Sequence, residues 1–355
     1  MFHDALGYGV VEPERIEAKV DTIYDLASLT KPLVTGLLAA QQIEDGDLEL
    51  DSGIGNDFLT IADTPAGGIT IRHLATHTSG LPAWAPLYLA ARSNTPNGLG
   101  AAIREQSFSE IGAKVEYSDL NFIALALAIE GARPDLEFDL EVVKQLGLKR
   151  TAFNPMTRNI DRREIAASEI GNKFERQMCM EKGYLSGGDV TVKERAEKYP
   201  LADAGYSAFR DDYIWGKVHD GNAYFMGGVA GHAGLFSTAE EVFRIAQQFL
   251  PNRTQLLRPE TCELFRTNFT KGMNEDRSFA FQLASTKDST AGTKMSPESF
   301  GHNGFTGTSL WIDPVKERVF ILLTNRTHDH PLPFVNINSI RRRFHDLAID
   351  ALNKI

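Results

Sequence analysis

The 355-residue sequence predicts an α/β (α+β) fold, with an antiparallel sheet flanked by helices and an inserted helical lobe. Three observations predict it. The apolar run Leu33-Val34-Thr35-Gly36-Leu37-Leu38-Ala39-Ala40 calls for a buried helix near the N-terminus. Residues from about 51 to 200 read as helix- and loop-rich, with segments of helical periodicity punctuated by Gly, Pro and Asn. Segments 308–312 and 318–324 read as two buried strands around an Asp313-Pro314 turn, and an amphipathic segment follows them. The sheet lobe is therefore expected from 1–50 together with 240–355, and the helical lobe from 51–239.

The elements follow in chain order. Residues 6–11 form a short strand or loop. Asp25-Leu26-Ala27-Ser28 opens a helix that tolerates Pro32 in its first turn, where N–H groups have no intrahelical acceptor. Gly46 stops that helix. Helical spacing recurs at 69–77, 98–106, 119–129 and 137–146. Thr238-Ala239-Glu240-Glu241 fits a capping box for a helix reaching about residue 250. The hairpin then leads to a closing helix at 338–352.

Composition narrows the function. A hydrophobic share of 42% and a charged share of 24% are those of an ordinary globular protein. The net charge of −10 argues against nucleic-acid or anionic-membrane partners, which need a basic surface. Arg341-Arg342-Arg343 reads as one solvated helix face. Cys179 and Cys262 have neither metal-type spacing nor a disulfide framework, so both are expected as free thiols. No run approaches eighteen apolar residues, and residues 1–20 lack the apolar centre of a secretory signal. A cytoplasmic location is expected, or a periplasmic one had an export segment been removed.

Chemistry enters with Ser28-Leu29-Thr30-Lys31. A lysine three residues after a serine lies one helical turn away on the same face, beside the hydroxyl. Tyr117-Ser118-Asp119 precedes a helix and offers a phenol able to carry a proton. Gly301-His302-Asn303-Gly304-Phe305-Thr306-Gly307-Thr308 leads into the hairpin, and residues 73–82 end a helix at a tight turn. In order and spacing, these segments resemble the serine β-lactamase and penicillin-binding-protein superfamily, above all its class C-like branch, which includes family VIII-type carboxylesterases. The resemblance covers nearly the whole chain, through 25–32, 69–82, 117–122, 146–155, 231–238 and 300–314. It implies a β-lactamase/transpeptidase-like fold forming one catalytic unit.

It also implies roles. Ser28 would be the nucleophile, Lys31 its partner amine and Tyr117 the general base. His302, Asn303 and Gly304 would line the site where many members carry Lys-Thr-Gly, and the N–H groups of Ser28 and Phe305 would form the oxyanion hole. No cofactor or metal is implied. Acyl transfer needs such donors where charge develops, each worth about 3–4 kcal/mol.

This chain departs from the pattern in three places. Asp119 stands where the motif usually has Asn; beside Lys31 it would hold the amine protonated and leave Tyr117, its phenolate favoured by the ammonium, to take the Ser28 proton. A role as helix cap serves Asp119 equally well. His302 replaces a permanently charged lysine, with Asn338 and Arg341 as substitutes for carboxylate contact, which tilts the expected substrates toward neutral esters or small amides. Little more than half of the family's N-terminal hairpin precedes Ser28, so either the start is abbreviated or this sheet edge is built differently.

Plainer readings apply elsewhere. Tyr117 also fits a bonded core tyrosine, and Trp311, alternating inside a strand, fits the core. His219, Asp220 and His232 match no compact zinc spacing and read as loop braces, while His73 and His77 lack the glutamate of a zinc-protease helix. The reading is an esterase-like serine hydrolase acting on a small ester, amide or β-lactam. A β-lactamase or D-amino-acid peptidase is the alternative, and a silent binder of peptidoglycan-like ligands the competitor from another class.

Overall fold

The computed structural model describes residues 2–54, 65–185 and 209–354. Residues 55–64 and 186–208, both within the lobe expected at 51–239, lie outside them.

Strands β1 (Tyr8–Val10) and β2 (Ile16–Glu17) pair antiparallel in a short hairpin before Ser28. Its edge is not bare. Gly9 O accepts from Ala167 N and from Asn325 Nδ2, and Val11 N donates to His328 Nε2. Strands β3 (Tyr24–Asp25), β4 (Ala152–Phe153) and β5 (Leu235–Ser237) form a small antiparallel sheet in the order β3-β5-β4. It knots three distant segments together directly before Ser28.

The helix after Ser28 is wound in an unexpected way. Ala27–Leu29 is a 3-10 turn, Lys31–Gly36 is π-helical, and regular α-helix runs only over Leu37–Asp45. The Leu37 N–H reaches back to Pro32 O, five residues earlier. Gly46 closes the helix at φ 84°, the left-handed position a glycine supplies without strain.

The larger sheet runs β6 (Gln282–Leu283), β7 (Phe300–Asn303), β8 (Ser309–Asp313) and β9 (Arg318–Leu322), antiparallel throughout. The expected hairpin is β8–β9, with Asp313 Oδ1 accepting from Val315 N and Lys316 N at 3.0 Å each. Alternation divides its side chains. Trp311 and Phe320 face Ile349 of the closing helix Asn338–Leu352, while Phe300, Leu310 and Ile312 join the main core. Opposite Trp311 stands Gly301, where any Cβ would strike the indole and Leu310 O.

The helix Asp119–Ala132 passes through the main core, with residues 120–129 all buried. A helix apolar on every side is a core helix, and this one presents its N-terminus to the site. The helix Ala239–Ala246 starts at Thr238, whose Oγ1 accepts from Glu241 N at 3.3 Å. The reciprocal half of the expected capping box is missing. The Glu241 carboxylate instead accepts from Lys149 N, Arg150 N and Thr151 Oγ1. No helix among the described residues is long and apolar enough to cross a membrane.

His345 joins the closing helix to the sheet. It is fully buried, and its Nδ1 donates to Thr290 O at 2.7 Å. Burial pushes its pKa down to about 4. The unfolded chain therefore binds the extra proton first, so this contribution is present above pH 6.5 and is lost as pH falls toward 4, in total on the order of 3 kcal/mol. Urea denaturation at pH 7 and pH 4.5 is expected to show that loss in wild type and a shallower pH dependence in His345→Asn.

Candidate active site

Ser28 sits in a turn fastened from both sides. Asp25, fully buried, accepts from Ala27 N through Oδ1 and from His219 N through Oδ2, each at 2.8 Å. Ala27, directly before Ser28, has φ 48°, a left-handed conformation that costs a non-glycine residue free energy. Opposite, Thr306 Oγ1 donates to Asp25 O at 2.7 Å and Thr308 Oγ1 to Leu26 O at 3.0 Å. The β7–β8 turn is thereby bolted to the backbone that carries Ser28. A Cβ on Gly304 would lie 2.5 Å from Leu26 O, which explains the glycine.

Lys31 has no exposed surface and its ammonium is saturated. It donates to Ser28 Oγ at 2.9 Å, to Asp119 Oδ1 at 2.7 Å and to His232 O at 3.0 Å. Burial pulls its pKa down, but Asp119 and then Tyr117 more than reverse this, and the net direction is up. Asp119 is the first residue of its helix, with Ser118 at the cap position, so it does not cap the helix. Its carboxylate belongs to the cluster around Ser28, where the helix N-terminus also favours it.

Tyr117 is partly buried, with its ring centroid 5.0 Å from Lys31 Nζ. Burial raises its pKa, Lys31 opposes this with a smaller effect, and Asp119 adds to the rise. The expected phenolate is therefore corrected: Tyr117 rests as a phenol, because loss of solvation outweighs the ammonium.

His77 packs on Tyr117 with ring centroids 4.6 Å apart, and its Nδ1 accepts from Ser118 N at 3.1 Å. His73 Nδ1 accepts from Thr70 N at 3.2 Å. Both histidines serve backbone, as expected. His219 Nε2 meets Glu169 Oε2 at 2.7 Å and His232 Nε2 meets Asp220 Oδ1 at 2.8 Å, so each braces a loop through a carboxylate. Among the described residues no group of three or more His, Cys, Asp or Glu is arranged to hold a metal ion.

These groups surround a cleft of about 380 Å³, within the range of small-molecule sites. Ser28, Tyr117, Asp119, His302, Asn303, Gly304, Phe305, Asn338 and Arg341 all line it; Lys31 lies behind, reaching it through Ser28 and Asp119. His302 is held neutral, its pKa well below the ordinary value through burial and then the cations Lys31 and Arg277. Its Nδ1 bonds Asn303 O at 2.9 Å; since a carbonyl only accepts, the proton is on Nδ1. Asn303 Oδ1 accepts from Thr290 Oγ1 at 3.0 Å. Arg341 donates to Gly304 O, Thr308 O and Asn338 Oδ1, and burial lowers its pKa to about 10, so it turns inward and is not part of the solvated face expected for 341–343. The Phe305 ring stacks on His219, packs tilted against Phe174 and lies 4.9 Å from the Arg326 guanidinium carbon.

Two cleft residues carried no sequence signal. Glu175 is buried with its pKa raised to about 7 by desolvation and by Asp220. Arg277 brings a charge to the wall near His302 that position 302 itself lacks. Both stand in segments without motif or periodicity linking them to Ser28, so only the fold brings them there.

The fold is that of a serine hydrolase. Over residues 2–342 the chain matches the family described as Beta-lactamase, and it belongs to that family. A relative in Escherichia coli (strain K12), named "Putative D-alanyl-D-alanine carboxypeptidase", is 28% identical over 342 residues, covering 90% of this chain and 72% of its own. Among solved structures, the octameric penicillin-binding protein homologue from Pyrococcus abyssi matches with a TM-score of 0.68 and 16% identity, over 99% of this chain and 70% of that one. A class C beta lactamase from Rhodobacter sphaeroides matches with a TM-score of 0.63 and 17% identity, over 98% and 90% of the respective chains. These two likenesses concern the fold.

Proposed function

We propose that the protein hydrolyses small esters or amides through an acyl-enzyme on Ser28. The observation that carries this is the Lys31 ammonium shared between Ser28 Oγ and Asp119 Oδ1. Nζ first releases a proton to Asp119 Oδ1, and the amine this leaves takes the Oγ proton as Oγ attacks the carbonyl carbon. Tyr117, a phenol, protonates the leaving atom and is resupplied through Lys31. The N–H groups of Ser28 and Phe305 stabilise the oxyanion, and the bolted β7–β8 turn keeps them in register. Water then repeats the sequence to release the acid.

A second reading, action on a β-lactam or D-amino-acid peptide, is supported by the name of the Escherichia coli relative and by the arginines on the cleft wall. Turnover of a short-chain p-nitrophenyl ester and of a chromogenic cephalosporin, for wild type and Ser28→Ala, separates the two. Ester turnover lost in the variant, with little cephalosporin opening, is the expected result. Turnover surviving Ser28→Ala overturns the mechanism, and absence of Ser28 labelling by a fluorophosphonate favours a silent binder.

A further inference from the structure

His77 is held in an arrangement that packing alone does not explain. It is 1% exposed and has φ 59°, a left-handed conformation that costs a non-glycine residue free energy. Its Nδ1 accepts from Ser118 N at 3.1 Å and faces Asn121 Nδ2 at 3.2 Å. A ring nitrogen that accepts from an amide N–H carries no proton, so the proton is on Nε2, which has no partner among the described residues. Burial, and then the charges of Arg277 and Lys31, keep the ring neutral, as an accepting Nδ1 requires. A buried donor left unmade is costly, and an apolar ring of similar size would avoid that cost. What the imidazole adds over such a ring is the acceptor.

The contacts of His77 converge on one neighbour. Its backbone O accepts from Glu116 N at 2.8 Å and its Nδ1 from Ser118 N, so the residues on both sides of Tyr117 are tied to it. Its ring packs on the Tyr117 ring with centroids 4.6 Å apart. Asn121 secures the far end of the link: its Oδ1 accepts from Ser79 Oγ, which in turn accepts from Leu81 N at 3.1 Å. Two residues before Tyr117, Asn274 bonds both Val115 N and Val115 O, at 2.9 and 3.0 Å, clamping this stretch to the segment that carries Arg277.

We infer that His77 is a positioning residue that aims the Tyr117 phenol at the leaving atom of the substrate. The inference rests on the acyl-enzyme reading above, in which Tyr117 gives its proton to that atom as the bond to the acyl carbon breaks. Tyr117 stands ahead of the helix Asp119–Ala132, outside its regular winding, so its direction is set by contacts of this kind. Proton transfer needs donor and acceptor within hydrogen-bond reach, and a shift near 1 Å at a reacting centre costs about 10²-fold.

The test uses His77→Phe, which keeps a ring and removes the acceptor, and His77→Asn, which places an acceptor near Nδ1 and tolerates positive φ. Two esters of one acyl group are compared, ethyl butyrate and p-nitrophenyl butyrate. Ethoxide must be protonated to leave, whereas p-nitrophenolate leaves unaided. His77→Phe is expected to lose about 10²-fold in kcat/KM on the ethyl ester and only a few-fold on the nitrophenyl ester. His77→Asn should recover about tenfold of that loss, the worth of one buried hydrogen bond. In a Tyr117→Phe background, His77→Phe should cost nothing further on the ethyl ester. Equal losses on both esters, or an additive loss beside Tyr117→Phe, overturn the proposal, because a smaller folded fraction lowers both esters alike. If His77→Phe does not fold, His77→Asn alone decides, since it lacks the ring packed on Tyr117: a larger loss on the ethyl ester supports the proposal, and equal losses overturn it. Should neither ester acylate Ser28, the hydrolase reading fails, and the 19F resonance of 3-fluorotyrosine at position 117 still decides on His77. A line that is single in wild type and splits or broadens in His77→Phe supports the positioning role, and one that stays single and sharp overturns it.

Discussion

Replacing Asp119 by alanine is expected to destabilise the protein by about 3–5 kcal/mol, because Lys31 would keep a fully buried ammonium and lose its carboxylate. The sign of the pH dependence follows. The folded-state pKa of Lys31 lies above its ordinary value of 10.5, so the pair's contribution is complete below that pH and fades as pH rises further. Urea denaturation of wild type and Asp119→Ala at pH 7 checks the magnitude. Asp119→Asn separates stability from chemistry. Asparagine still offers Lys31 an oxygen but cannot receive a proton, so the proposed relay is cut and kcat should fall by about 10²–10⁴. Burial then dominates at Lys31 and lowers its pKa, so the pH–rate profile moves. A profile that coincides with wild type would remove Asp119 from the mechanism.

The second large effect is expected at Gly304. Alanine there would drive its Cβ against Leu26 O and Thr308 Oγ1, pushing the β7–β8 turn away from residues 25–26. The Ser28 and Phe305 N–H groups, which the proposed mechanism requires to converge on one oxygen, would separate. A displacement near 1 Å at a reacting centre costs about 10²-fold. The expected signature is a loss of that order in ester kcat with fluorophosphonate labelling of Ser28 slowed in parallel, while circular dichroism stays native. Full activity in Gly304→Ala would mean that the turn does not set the geometry.

The contrast between what the sequence made legible and what it did not has a physical basis. The closing helix and the β8–β9 hairpin were readable because each is specified by local periodicity and a local turn. Ser28, Lys31 and the segment 117–119 were readable because the chemistry needs fixed spacings within a few residues. Strands β3, β4 and β5, of two or three residues each, were not, since their pairing is entirely long-range. Glu241 satisfied a local capping pattern, yet three donors at 149–151 drew its carboxylate elsewhere. Tyr117 misled in another way: the neighbouring charge was foreseeable, whereas the loss of solvation that outweighs it is a property of the fold. Arg277 follows no motif and reaches Tyr117 only through the clamp at Val115.

The π-helical stretch Lys31–Gly36 bears on how such a site is specified. A π-turn is an α-helix carrying one residue too many, and each residue of an α-helix advances the phase by about 100°. The spacing Ser-x-x-Lys sets only the relation between hydroxyl and amine. The surplus residue sets which way that pair faces, turning it from the direction dictated by the helix Leu37–Asp45 toward Asp119 and the carbonyl of His232. The site is keyed by length as well as by residue type: its motif can be copied into another helix without its phase, and only the local pair would come with it.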